Sequence, residues 1–202
     1  MGVAIDEAKI ALAADANYAP AYNLLGLVYM KLNETADARA NFERALALAP
    51  NDGEFNNNYG WFLCTQGREQ DGIRHLMNAV KNPLYTSPSR PYTNAGLCAL
   101  RLKDDALAED YLRKAVLADG GNSQALYLLA DVSYRKDKLV EARRFINQVH
   151  RQIEPTAETV WLALRIERKL GDRDAEASYA TRLNRDFAGS KEQRALARGQ
   201  YD

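Results

Sequence analysis

The sequence predicts an all-α fold, a right-handed superhelix (solenoid) of helix–turn–helix units. Three observations carry this expectation. Small residues recur at Gly26, Gly60, Gly96 and Ala130, with spacings of 34, 36 and 34. The surroundings of each recurrence agree in kind: around the first stand Tyr22, Leu25 and Tyr29, then Ala38, Phe42 and Ala45, then Pro50. In the second half of each unit, small and large apolar residues alternate at three- and four-residue steps. That is the period of one buried helix face.

Bulky, Leu-Gly, Tyr, Ala, aromatic, Ala, Pro at those offsets is the pattern of a tetratricopeptide repeat. With position 1 at Ala19, the units are 19–52, 53–88, 89–122, 123–156 and 157–189. The two-residue surplus between the second and third falls in 82–88, a loop by Pro83 and Pro88. Position 20 reads Ala38, Gly72, Ala108 and Ala142; position 24 reads Phe42, Leu76, Leu112 and Ile146; position 27 reads Ala45, Ala79, Ala115 and Val149. The fifth unit places Leu164 at the small-residue position, so it reads as degenerate. Residues 4–12 fit positions 20 to 28 of a unit without its first helix. Residues 1–18 are therefore expected to be the second helix of a truncated repeat in a fragment, with Met1 and Gly2 a cloning remnant. Residues 190–202 read as a short, charged C-terminal cap. The whole, 1–202, is expected to be one repeat domain.

Composition narrows the function. Lys+Arg and Asp+Glu are both 27, for a formal net charge of zero. Nothing in that balance asks for nucleic acid or an acidic membrane surface. There is no apolar run of transmembrane length, no glycine-rich phosphate loop and no metal-ligand cluster. His75 and His150 fall at second-helix positions of different units and read as structural residues. No catalytic residue, metal or cofactor is expected. Arg165, Arg168, Lys169, Arg173, Arg182 and Arg185 give the last unit a basic character. Glu167, Asp172, Asp174, Glu176 and Asp186 are placed to pair with them, which favours a solvated, paired face over an anion-binding patch.

In such a solenoid the first helices line the inner surface, and positions 2, 5, 9, 12 and 13 point into it. Both tryptophans of the chain fall there. The candidate partner-binding residues are Asn23, Leu27, Asn57, Trp61, Arg90, Leu97, Arg101, Tyr127, Tyr134, Arg135 and Trp161. Aromatics on a concave surface are interface candidates. Packing against the next unit is the competing role for Trp61 and, with equal weight, for Trp161. Cys64 and Cys98 lie on first helices of adjacent units. Their spacing fits a disulfide, which needs Cα atoms within about 7 Å, and fits two buried thiols equally well.

The segment Asn56-Asn57-Asn58-Tyr59-Gly60-Trp61-Phe62-Leu63-Cys64 is more specific than the repeat. It resembles the Asn-Asn-Tyr-Gly-x-Phe-Leu-Cys segment of the PilF/PilW family of type IV pilus biogenesis lipoproteins, the pilotins. The resemblance continues through the proline loop at Pro83 to Pro91 and through Asn94-Ala95-Gly96-Leu97-Cys98. It runs on to Phe187-Ala188-Gly189-Ser190. It implies a non-enzymatic scaffold at the periplasmic face of the outer membrane. Its partner would be the pilus secretin subunit or another type IV pilus protein, and its role would lie in secretin localisation, multimerisation or stability. It also implies a lipid anchor on an N-terminal segment that this chain lacks, and it tips the cysteines toward a bond and thus an oxidising compartment. A generic repeat adaptor of another envelope or secretion complex is the alternative. An enzyme is disfavoured, because no nucleophile–base pair stands at a plausible spacing.

Overall fold

A computed structural model describes residues 2–201; Met1 and Asp202, ends of the expected N-terminal remnant and C-terminal cap, lie outside the described residues. Among the described residues the protein is all-α, with twelve helices and no strand. They are α1 (Gly2–Ala14), α2 (Ala19–Lys31), α3 (Thr35–Leu48), α4 (Gly53–Thr65), α5 (Glu69–Lys81), α6 (Ser89–Arg101), α7 (Asp105–Ala118), α8 (Ser123–Arg135), α9 (Leu139–Gln152), α10 (Ala157–Leu170), α11 (Arg173–Asp186) and α12 (Lys191–Ala197). They form two compact units, residues 1–118 and 119–202. In the first, α1 packs on α2, and α2/α3, α4/α5 and α6/α7 are antiparallel pairs; in the second, α8/α9 and α10/α11 pair and α12 packs on α10 and α11. No helix among the described residues is long and apolar enough to cross a membrane.

Each pair is joined by the same turn. Asn33, Gly67, Lys103, Asp137 and Gly171 all have left-handed backbone, with φ between 57° and 80°. The following amide donates to the carbonyl five residues back: Glu34 to Tyr29, Arg68 to Leu63, Asp104 to Ala99, Lys138 to Ser133 and Asp172 to Glu167, at 2.8–3.1 Å. This is the six-to-one closure that satisfies helix-end carbonyls and reverses the chain. Helix starts are closed by side chains: Asp52, Asn122, Asp172 and Ser190 each accept from a backbone amide three residues on, and Thr156 and Thr159 cap each other reciprocally.

Close crossing explains the small residues. A Cβ on Gly26 would stand 2.6 Å from Phe42. One on Gly60 would stand 2.8 Å from both the Gly72 carbonyl and Leu76. The facing residues Phe42, Leu76, Leu112 and Ile146 are fully buried. In the last pair the sizes are exchanged. Leu164 is fully buried, and the residue at the facing register position, Ala180, packs against its cluster. The fifth unit therefore keeps the volume of the crossing and reverses which helix supplies it.

The first unit has two local departures. A Cβ on Gly72 would run into Cys64 Sγ, which is why this position holds glycine where the first, third and fourth pairs hold alanine. The proline loop folds back on α4: Asn82 Nδ2 donates to Asn51 O at 2.8 Å, and the Tyr85 ring takes the space that a side chain at Gly53 would need. On α1, Ile5, Ala8, Ala11 and Leu12 pack against Ala21 and Leu25, while Val3 and Ile10 stand in solvent.

Candidate functional site

In the first unit, a ladder of amides joins the candidates Asn23 and Asn57 across α2, α4 and α6. Asn58 Nδ2 donates to Asn23 Oδ1 at 3.1 Å, Asn57 Nδ2 to Asn58 Oδ1 at 3.2 Å, and Asn94 Nδ2 to Asn57 Oδ1 at 3.0 Å. Asn23, Asn57 and Asn58 are buried. The ladder links position 5 of one repeat to position 6 of the next. Asn23 and Asn57, expected to meet a partner, thus spend amide groups on inter-repeat registry, because buried amides must find partners. Asn58 and Asn94 were not singled out from sequence; asparagine at both positions 5 and 6 of neighbouring units was the available signal.

Cys64 and Cys98 form a disulfide between α4 and α6, with Cα atoms 5.6 Å apart. Trp61 is half-buried against this bond, Leu76 and Ala95. It therefore packs and still offers surface. Leu27 is exposed and Leu97 half-buried. Arg90 pairs with Glu54 at 2.9 Å and Arg101 with Glu69 at 3.6 Å. These arginine side chains are about half exposed, so each pair is worth at most ~1 kcal/mol and can be exchanged for a partner's carboxylate at small cost.

In the second unit the candidates meet in a run of rings and cations. Arg165 lies over Tyr134 at 4.8 Å and over Trp161 at 5.8 Å; Lys169 lies over Tyr134 at 4.6 Å. Trp161 stacks on Tyr201 with centroids 5.5 Å apart, and Arg168 lies 4.0 Å over Tyr201. Trp161 is only 9% exposed, because the C-terminal segment lies on it. Its packing partner is this tail. Beside it is a cleft lined by Tyr127, Glu158, Trp161 and Arg165, with Lys191 and Ala195 from α12. Burial, then the charges of Asp131 and Glu158, push the Tyr127 hydroxyl above its usual range. Arg135 pairs with Asp131 at 3.1 Å. Of the last repeat's basic residues, Arg168 pairs with Glu176, and Arg182 and Arg185 with Asp186, as expected; Lys169 instead reaches Asp137 of the preceding repeat, and Glu167 and Asp172 are held by Arg143 of that repeat.

The histidines have structural surroundings. Asn56 Nδ2 donates to the carbonyls of Pro50 and Asp52, so its Oδ1 faces His75 Nδ1 at 3.0 Å and accepts from it. The His75 ring meets Tyr59 edge-on at 4.9 Å. Burial lowers the pKa of both His75 and His150, helped by Arg74 and Arg182 respectively. Among the described residues no cluster of His, Cys, Asp and Glu could hold a metal ion. The first helices present aromatic faces, guanidinium groups and apolar edges.

Tetratricopeptide repeat family models match residues 19–52 and 89–122. The chain is 30% identical over 191 residues to the type IV pilus assembly protein PilF of Pseudomonas aeruginosa, covering 93% of this chain and 76% of PilF. The crystal structure of PilW, a widely conserved type IV pilus biogenesis factor, superposes with a TM-score of 0.85 at 27% identity, over 94% of this chain and 87% of that one. The structure of P. aeruginosa PilF gives a TM-score of 0.87 at 29% identity, over 95% and 86%.

Proposed function

The chain belongs to the PilF/PilW family of type IV pilus biogenesis proteins, and on that premise we propose that it is a non-enzymatic scaffold that holds the pilus secretin subunit. It assists the subunit's localisation to the outer membrane, its assembly into a ring, or the stability of that ring. It works at the periplasmic face of that membrane, tethered by a lipid on an N-terminal segment. The observation that carries the reading is the relation to PilF along nearly the whole chain. The Cys64–Cys98 bond supports the compartment, since structural disulfides persist where the surroundings are oxidising.

The physics is that of a holdase. Secretin subunits expose strand edges and apolar surface before the ring closes, and such edges seed aggregation. A tethered scaffold raises their local concentration at the membrane and shields them. Trp61, Leu27 and Leu97 supply apolar surface on the first unit, and Arg90 and Arg101 supply exchangeable charges.

Titrating the chain against purified secretin subunits, with ring formation scored alongside, tests this. Binding that Trp61→Ala weakens at least tenfold supports both partner and face. Unchanged binding moves the contact away from Trp61. Absence of binding removes the secretin and leaves other pilus proteins as the partner class.

A further inference from the structure

We propose that the tail residues Gly199–Tyr201 are a built-in occupant of an aromatic seat on the second unit, and that this seat takes a partner segment carrying an aromatic residue beside a carboxylate. This deepens the scaffold reading and rests on it, without depending on which pilus protein is the partner.

The occupant is aimed at its seat by local sequence. Ser190 caps α12, its Oγ accepting from the Gln193 amide at 3.0 Å. The helix ends after Ala197 in a left-handed Gly199 (φ 65°). Gly199 N–H donates to Leu196 O and Gln200 N–H to Ala195 O, both at 3.0 Å. This paired closure turns the chain sharply and brings Tyr201 back onto Trp161. There the two rings stack within 20° of parallel, with the Arg168 guanidinium over Tyr201. Offset stacking and the cation–π contact both favour this seating.

Little else holds the tail. Residues 197–200 are exposed and Tyr201 is only half-buried. The contacts upstream of Gly199 hold α12 rather than the ring: Lys191–Glu158 at 3.1 Å with side chains 73% and 58% exposed, Gln193–Asn184 at 3.1 Å, and Ala195 and Leu196 on the core. A seven-residue helix has no stability of its own. A competing ring can therefore displace Tyr201 at small cost.

The seat also asks for something Tyr201 does not supply. Arg165 lies between Trp161 and Tyr134, and its Nε is buried with no hydrogen-bond partner. A buried donor left unpaired is unfavourable, because it has given up water and gained no acceptor. A carboxylate next to the incoming ring would satisfy it, and Arg165 would then hold the acid as Trp161 holds the ring. An aromatic side chain flanked by Asp or Glu is the ligand chemistry this geometry selects.

The test uses the full chain in a Trp61→Phe background, so that fluorescence reports Trp161 alone. The probe is the synthetic peptide acetyl-Gly-Glu-Tyr-Glu-Gly-amide, with Tyr replaced by Ala as control. Deleting residues 199–202, or Tyr201→Ala, is expected to tighten probe binding at least fivefold over the intact tail. Arg165→Gln is expected to remove most of that gain. Circular dichroism on each variant verifies the fold, and Tyr201→Ala spares the core should the deletion perturb it. Equal binding with and without Tyr201, binding that ignores the probe's tyrosine, or no binding to the Tyr201→Ala chain overturns the proposal. Titrating secretin subunits against the Tyr201→Ala and Arg165→Gln chains with Trp61 in place separates the two readings. Probe binding without secretin binding leaves the seat and removes the partner. Secretin binding indifferent to Tyr201 and Arg165 does the reverse.

Discussion

Lys103 pays for a turn that glycine makes freely. Its φ of 60° places a long side chain in the left-handed region, where Gly67 and Gly171 hold the same place in their own repeats. Left-handed backbone costs an ordinary residue roughly 1–2 kcal/mol, part of which glycine returns through its freer unfolded chain. Lys103→Gly should therefore raise stability by about 0.5–1 kcal/mol, read as a higher urea midpoint at unchanged slope. Asn33 and Asp137 should gain less, since short polar side chains tolerate this region. The turn's geometry was not legible in the sequence, because Asn, Gly, Lys, Asp and Gly share a backbone state and no side-chain chemistry. The same limit hid the reason for Gly72: its pattern position was plain, but only folding brings Cys64 Sγ against it.

At the scale of the helix pair, the last repeat is a mirror of the others in size. The sequence marked Leu164 as a break in the rule, and the structure shows the compensation at Ala180. Truncating a fully buried leucine leaves a cavity, so Leu164→Ala should cost about 2–5 kcal/mol. Ala180→Leu alone should also destabilise, by overpacking. The double variant should recover at least half of the summed loss, giving a coupling energy that thermal or chemical unfolding can measure. Additive losses would mean the two residues do not share one space. Helix existence and phase were readable here because they rest on a 3.6-residue apolar period. The seating of α12 on Trp161 was not, since it depends on a glycine turn and on a ring contact across 40 residues of chain.

At the scale of the whole molecule, the disulfide acts on one unit only. It spans 34 residues, and closing a loop of that length in the unfolded chain is worth about 3–4 kcal/mol on the loop-entropy model. Repeats touch mainly their neighbours, so stabilisation spreads locally. Reduction, or Cys64→Ala with Cys98→Ala, should therefore speed amide hydrogen exchange across α4 to α7 while leaving α10 to α12 near their original rates. Equal acceleration throughout would mean the chain opens as one cooperative body. The sequence by itself determined the all-α repeat fold, the place of the inserted loop and the family, because each is written in spacing and residue kind. Tertiary structure decided which candidates remain available. It spent Asn23 and Asn57 on registry, laid the tail over Trp161 and left Trp61 half open, because burial and hydrogen-bond satisfaction depend on which neighbours arrive, and no single repeat encodes its neighbours.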